Sequence, residues 1–163
     1  MGELSSIPYR ERTDAQKAQT QWRKAIGLLR RSDWSAAIVR AVTAAEISLN
    51  LALRAEYKKA GKLVAEEVDQ LLMKANGLFG KLDLLKSVSG SDLRSQLKDL
   101  KSVIKEAAIK RNRIVHSGEF CSEVEARRHT DACEVFVNRL IANYESCFKL
   151  ADVEIAPQED PGA

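Results

Sequence analysis

The sequence predicts an all-α fold, an antiparallel bundle of four to five main helices. Its 163 residues are rich in Ala, Leu, Lys, Arg and Glu, with only eight glycines and three prolines. Apolar residues recur at spacings of three and four in several segments, which is the period of a helix with one buried face. No segment shows the alternating pattern of a strand. A chain of this length fits one domain with a sizeable core.

The two ends of the chain differ from its middle. Residues 1–12 are polar and contain Pro8, and residues 152–163 are acidic and contain two prolines. Such segments bury little apolar surface, so both are predicted to be flexible. The helical domain is therefore predicted to span residues 13–151.

Three helices are predicted in the first half of the domain. The first follows Thr13 and Asp14, the second runs from about Asp33 to Lys59, and the third covers roughly residues 63–75. The apolar face of the second helix contains Ile38, Val42, Ala45, Leu49 and Leu53. Gly61 is predicted to end the second helix. The segment 78–88 is predicted to add only one or two further turns.

Two helices are predicted in the second half. One begins at Ser91 or Asp92 and ends near Gly118, a residue suited to a helix C-terminus. Its buried seam is Leu93, Leu97, Leu100, Ile104 and Ala107 or Ala108. The pattern Ser122-x-x-Glu125 predicts a capping box that opens the last helix, whose apolar residues continue to Phe148.

A helical repeat is an alternative for the first two helices. Residues 24–49 have the small-residue and aromatic spacing of a tetratricopeptide unit. Nothing similar returns about 34 residues later, as such an array requires. The pattern therefore favours a single bundle.

Charge and cysteine content limit the classes of function. A net charge of +3 permits an RNA partner without requiring one. The three cysteines form no C-x-x-C pair, which argues against a zinc knuckle or a disulfide framework and favours the cytoplasm. His129 and Cys133 are four residues apart, but no second pair of ligands accompanies them, so no metal site is predicted.

No cofactor or membrane segment is predicted. The sequence has no glycine-rich phosphate loop, no G-x-S-x-G elbow and no evident pair of catalytic carboxylates. It also has no leader-like segment and no uninterrupted apolar run long enough to span a bilayer. The expectation is a cytoplasmic protein that does not contact a membrane.

Arg111 is the most unusual residue in the pattern. It continues the apolar seam of the fourth main helix at a position where a leucine would be expected. A buried guanidinium needs a carboxylate, carbonyl or phosphate partner because it keeps its charge. Glu46 is the candidate partner, since it lies in the almost uncharged stretch 42–53 of the second helix.

Asn112 and His116 follow Arg111 on the same helix. Asn112 and His116 are four residues apart and share a face, whereas Arg111 and His116 are about 140° apart on an ideal helix. The helix is expected to loosen near Ser117, which would help Arg111 and His116 to meet on one ligand. An arginine that binds phosphate and a histidine that moves protons are suited to a phosphate diester.

An ordinary surface role is the alternative for this segment. Arg111 would then be the tip of a solvated basic face with Lys101, Lys105, Lys110 and Arg113, and His116 would be favoured by the helix C-terminus. The spacing of one arginine and one histidine does not distinguish the two interpretations.

The segment 111–116, RNRIVH, resembles the R-x(4-6)-H motif of the HEPN superfamily, including the polar residue directly after the arginine. The chain is also similar to HEPN domains in its helical content, its length, and its alanine-rich early helix with a glutamate. The motif lies late in the chain and one more helix follows it, as in that family. The resemblance covers roughly residues 22–150, and only the motif and its position are specific.

The resemblance implies a two-fold homodimer that joins two motifs in one cleft. It also implies metal-independent endoribonuclease activity by 2′-hydroxyl attack, often in toxin–antitoxin or antiviral systems. Arg111 and His116 would be catalytic, Asn112 would orient or bind the phosphate, and RNA and an antitoxin or other regulatory protein would be partners. Gly118 stands where HEPN toxins paired with nucleotidyltransferase antitoxins tend to have tyrosine, which argues against regulation by tyrosine nucleotidylation.

Two other functions remain as alternatives. A HEPN-like module can keep the motif and serve as a nucleotide-binding or protein-interaction domain without turnover. A small helical scaffold unrelated to RNA is the third reading, because fold similarity alone does not fix function.

Overall fold

The computed structural model describes residues 6–75 and 77–150, and this part of the chain is helical with no strand. The predicted all-α class is confirmed. A short 3₁₀ turn, Tyr9–Glu11, precedes six α-helices. The helices are α1 (Asp14–Arg30), α2 (Trp34–Ala60), α3 (Ala65–Lys74), α4 (Gly77–Val88), α5 (Ser91–Ser117) and α6 (Glu123–Ile141).

Helix α2 is the centre of the fold and contacts each of the other five helices. Its most extensive neighbours are α1 and α6. Five alanines of α2 are fully buried, which lets neighbouring helices approach closely, and larger residues such as Ile38, Leu49 and Leu53 fill the remaining space. The core therefore forms around one central helix.

Several predicted helix ends are confirmed. Thr13 and Gln16 form a capping box at the start of α1, and Ser122 and Glu125 form the predicted one at α6. Gly61 and Gly118 end α2 and α5 in the left-handed conformation, with φ values of 66° and 64°.

Helix α4 is longer than predicted. It forms a full helix of 12 residues rather than one or two turns, so the described chain has six helices and not four to five. Leu78, Leu82 and Leu85 of α4 are buried at helical spacing against the core. Tertiary packing therefore stabilises a segment whose local pattern is weak.

Helix α6 is shorter than predicted. It ends at Ile141, and Tyr144 and Phe148 pack against the core from the turn that follows. The side chain of Asn143 donates to the carbonyl of Arg139 at 2.9 Å, which satisfies an acceptor at the helix end. The Tyr144 hydroxyl donates to Glu56 Oε1 at 2.8 Å and holds the turn beside α2.

The predicted flexible tail 152–163 and the first five residues of the predicted flexible segment 1–12 lie outside the described residues. Within residues 6–12, the Arg12 side chain donates to the carbonyl of Ile7 at 3.0 Å and to Thr20 Oγ1 at 2.7 Å. These residues therefore contact α1.

In the described part of the chain, α2 alone is long and apolar enough to cross a membrane by length and composition. The buried core helix of a globular bundle meets the same criterion, and 56% of the apolar window is buried inside the fold.

Candidate functional site

Arg111 forms an ion pair with Glu46. The α5 residues that precede it on the seam, including Ile104 and Ala108, are buried against the core. Arg111 Nη2 donates to Glu46 Oε1 of α2, and the two side chains retain 21% and 17% of their exposure. The partner that the sequence predicts is therefore in contact, and the pair remains open to solvent on one side.

Gly77, the first residue of α4, lies over this ion pair. A Cβ atom at this position would be 3.5 Å from Glu46 Oε1 and 4.0 Å from Arg111 Nη2. Its φ is +56°, a conformation that glycine adopts without strain. The positive end of the α4 dipole therefore lies near the Glu46 carboxylate, an arrangement that stabilises a negative charge.

Lys81 lies one helical turn beyond Gly77 and is half-buried. Burial lowers the pKa of Lys81, while Glu46 and Asp14 act in the opposite direction and Arg54 and Arg111 lower it further. Its ammonium forms no hydrogen bond or ion pair with any residue in the two described ranges. Lys81 thus adds a second cation to the surroundings of Arg111. Neither Gly77 nor Lys81 was predictable as a neighbour of the ion pair, because their place depends on how α4 packs.

Asn112 is partly buried and His116 is exposed in the last turn of α5. The helix is regular through both motif residues and ends at Ser117 and Gly118, where it was expected to loosen, but this end lies beyond His116 and does not turn it toward Arg111. Arg111 and His116 therefore remain about 140° apart and about 7.5 Å apart along the helix axis. His116 forms no hydrogen bond with another described residue. The fold brings Arg111 and Glu46 together but does not aim His116 at them.

Lys110 contradicts the alternative of a solvated basic face. It is buried, with 7% exposure, and its ammonium donates to Glu119 Oε1 at 2.7 Å and to the carbonyl of Phe120 at 3.0 Å. Glu125 Oε1 lies 3.1 Å from the same ammonium. The hydrogen bond to Glu119 raises the pKa of Lys110. Lys110 is therefore not part of a solvated face and Arg111 is paired, whereas His116 is exposed in the last turn of α5, as that alternative expects.

His129 and Cys133 are both buried on α6. Burial lowers the pKa of His129 and raises that of Cys133 to about 12, so the Cys133 thiol stays protonated at neutral pH. Among the residues that the structure describes, no three His, Cys, Asp or Glu side chains are grouped so that they could hold a metal ion.

Four pockets on the described part of the chain lie away from the motif. None of them is lined by Arg111, Asn112 or His116. One of the four is lined by Lys81 itself, together with Asn50, Arg54 and Asp69 among others. None of these four pockets therefore encloses the motif.

No model of a known protein family matches the chain, and no curated protein or solved structure matches it either.

Proposed function

We propose that the protein is a HEPN-type endoribonuclease that cleaves RNA without a metal ion and acts as a two-fold dimer. One observation carries the proposal: Arg111 is held by Glu46 at the end of a buried seam, yet about a fifth of its side chain is exposed. A cation fixed in this way can meet a phosphate without losing much conformational freedom. The RNRIVH segment supplies the histidine that the chemistry needs.

In this proposal each polar residue has one role. Arg111 binds the phosphate and stabilises the negative charge that develops in the transition state. His116 accepts the proton of the 2′-hydroxyl as that oxygen attacks phosphorus, or donates a proton to the leaving 5′-oxygen. Asn112 orients the phosphate, and Glu46 positions Arg111. The products are a 2′,3′-cyclic phosphate and a 5′-hydroxyl.

The geometry of α5 supports a dimeric site. Because Arg111 and His116 point to different sides of an intact helix, one chain presents them to one phosphate poorly. A two-fold axis near the end of α5 would bring the partner subunit's His116 to the same cleft. Cleavage needs one proton removed from the 2′-hydroxyl and one donated to the 5′-oxygen. His116 of one subunit would carry out one of these transfers, and the partner subunit's His116 or water would carry out the other.

A HEPN-like module without turnover is the second candidate. The exposure of His116, which forms no hydrogen bond with another described residue, favours it, because an enzyme usually encloses its reacting groups. Such a module would bind a nucleotide or a protein through the same surface. A cytoplasmic role as a toxin or antiviral effector, held in check by an antitoxin or another regulatory protein, belongs to the first candidate.

Cleavage of RNA in EDTA, with analysis of the end groups, tests the proposal. We expect a product with a 2′,3′-cyclic phosphate. DNA and 2′-methoxy RNA should not be cleaved, because they lack the 2′-hydroxyl. His116→Ala should lower the cleavage rate roughly 10²–10⁴-fold, the usual contribution of general acid–base catalysis. Arg113→Ala removes an exposed cation two residues after Arg111 and should lose much less.

Four outcomes would count against this mechanism. Cleavage that survives His116→Ala, or that needs Mg²⁺ and leaves a 3′-hydroxyl, contradicts it. A folded protein that cleaves no RNA favours the module without turnover. Light scattering checks the assembly, and a strict monomer that RNA does not convert to a dimer contradicts the two-fold site.

A further inference from the structure

A second site lies between α4, α5 and α6, away from the motif. It is a cavity of about 190 Å³ whose interior is formed by Leu82, Leu85, Leu97 and Phe136. All four side chains are at least nine-tenths buried. An apolar cavity of about 150 Å³ accepts a benzene ring, so this one has room for a ring or a short acyl chain.

Four cations surround the opening of this cavity: Lys86, Arg94, Lys98 and Lys101. None of them forms an ion pair with an acidic residue in the described ranges, and no acidic residue lines the cavity. Arg94 makes only a long hydrogen bond, 3.4 Å, to the carbonyl of Gly90. The opening therefore has an unneutralised positive potential.

Ser89 adds an independent observation. It is 93% buried, since its exposure is 7%, and its Oγ has no hydrogen-bond partner among the described residues. A buried hydroxyl without a partner is destabilising, and most such groups bind water or a ligand. Ser89 lines the same cavity, so a polar atom of a ligand can complete its bonding.

We propose that this cavity binds a small amphipathic anion. Its apolar body, a ring or a short acyl chain, would occupy the leucine and phenylalanine interior, and its carboxylate or phosphate would lie among the four cations. Lys101 precedes Arg111 by ten positions on α5, which is about 15 Å along the helix. The inference is therefore independent of RNA cleavage at the motif.

Titration calorimetry with octanoate tests the proposal, because octanoate has both the chain and the charge. Octanoate should bind saturably at one site per protein molecule. Octyltrimethylammonium and octanol have an alkyl group of the same length but a positive charge or none, and they should bind at least roughly tenfold more weakly. Lys98→Glu should also weaken octanoate binding roughly tenfold. Lys62→Glu reverses an exposed charge on the α2–α3 connection and should leave it unchanged.

A second variant tests the interior. Ser89→Leu places a larger side chain in the cavity and should abolish octanoate binding while the helical circular dichroism is kept. If Ser89→Leu does not fold, the Lys98→Glu comparison still decides. Equal binding of the anionic and cationic chains, or no saturable binding of octanoate, overturns the proposal. A short RNA that binds in a Lys98-dependent way while octanoate does not would assign the cations to nucleic acid and also overturn it.

Discussion

Lys110 Nζ lies 3.1 Å from Glu125 Oε1, and this ion pair ties the end of α5 to the first turn of α6. The same ammonium also holds Glu119 and the carbonyl of Phe120 in the short connection 118–122. A buried cation thus fixes the segment that directly follows His116. The orientation of the motif relative to α6 therefore depends on the contacts of Lys110.

Lys110→Met should destabilise the protein by about 1–3 kcal/mol, because it removes three contacts to a charged group and keeps the apolar stem. Two of the partners are carboxylates that water can reach, which keeps the loss below that of a fully buried pair. Urea unfolding measures the effect. Lys62→Met, at an exposed position, is the control and should change stability by about 0.5 kcal/mol or less. Equal stability of the two variants would show that the Lys110 contacts contribute nothing net.

The capping carboxylate of Glu125 should make stability depend on acid pH. The backbone N–H of Ser122 and the ammonium of Lys110 donate to it and lower its pKa to about 2. Because the folded pKa is below the unfolded one, near 4.5, its contribution is complete above about pH 4.5 and is lost as pH falls through about 2. The gap in melting temperature between wild type and Glu125→Gln should therefore close over that range. A gap that stays constant from pH 7 to pH 2 would contradict this linkage.

Glu46→Ala should cost about 1–3 kcal/mol, between the values for exposed and for fully buried ion pairs, because the pair keeps about a fifth of its exposure. Asp99→Ala, at an exposed position of α5, is the control. The double variant Glu46→Ala/Arg111→Met should recover part of the loss, since it leaves no unpaired guanidinium. Chemical unfolding gives all three values. If Glu46→Ala unfolds like Asp99→Ala, the pair does not stabilise the fold.

Two glycine substitutions should act in opposite directions. Gly77→Ala forces alanine into a φ of +56° and should destabilise by about 1–2 kcal/mol, although a Cβ fits beside Glu46. Gly27→Ala lies in α1 with open space around its Cβ and should stabilise by about 0.5–1 kcal/mol. Thermal unfolding of both variants measures the two effects. If both substitutions change the stability in the same direction, the left-handed conformation at position 77 does not require glycine.

The helical period was sufficient to predict five of the helices and most of their ends. It failed where tertiary packing outweighs local pattern. In α4 three leucines are buried and Phe79, Leu84 and Val88 also pack against the core, so the fold stabilises a longer helix than the sequence predicts. After Ile141 the apolar spacing continues, yet Tyr144 and Phe148 reach the core from a turn.

The contact between Glu46 and Arg111 was predictable because a cation on an apolar seam needs an anion, and the facing helix offers one. Gly77 and Lys81 were not predictable, since nothing in the local sequence shows that α4 begins over the ion pair. The burial of Lys110 was also missed. A lysine among other basic residues resembles a surface lysine, and two of its three partners lie in a connection whose path the sequence does not specify.

The central position of α2 has a consequence for synthesis on the ribosome. Helix α2 is made early, but α6, which covers much of it, is made last of the six helices. Until α6 has left the exit tunnel, an apolar face of α2 has no cover except α1 and whatever parts of α3, α4 and α5 have already packed. The nascent chain therefore exposes aggregation-prone surface from the synthesis of α2 until that of α6, and α2 reaches its native packing only after the motif helix α5 has been made.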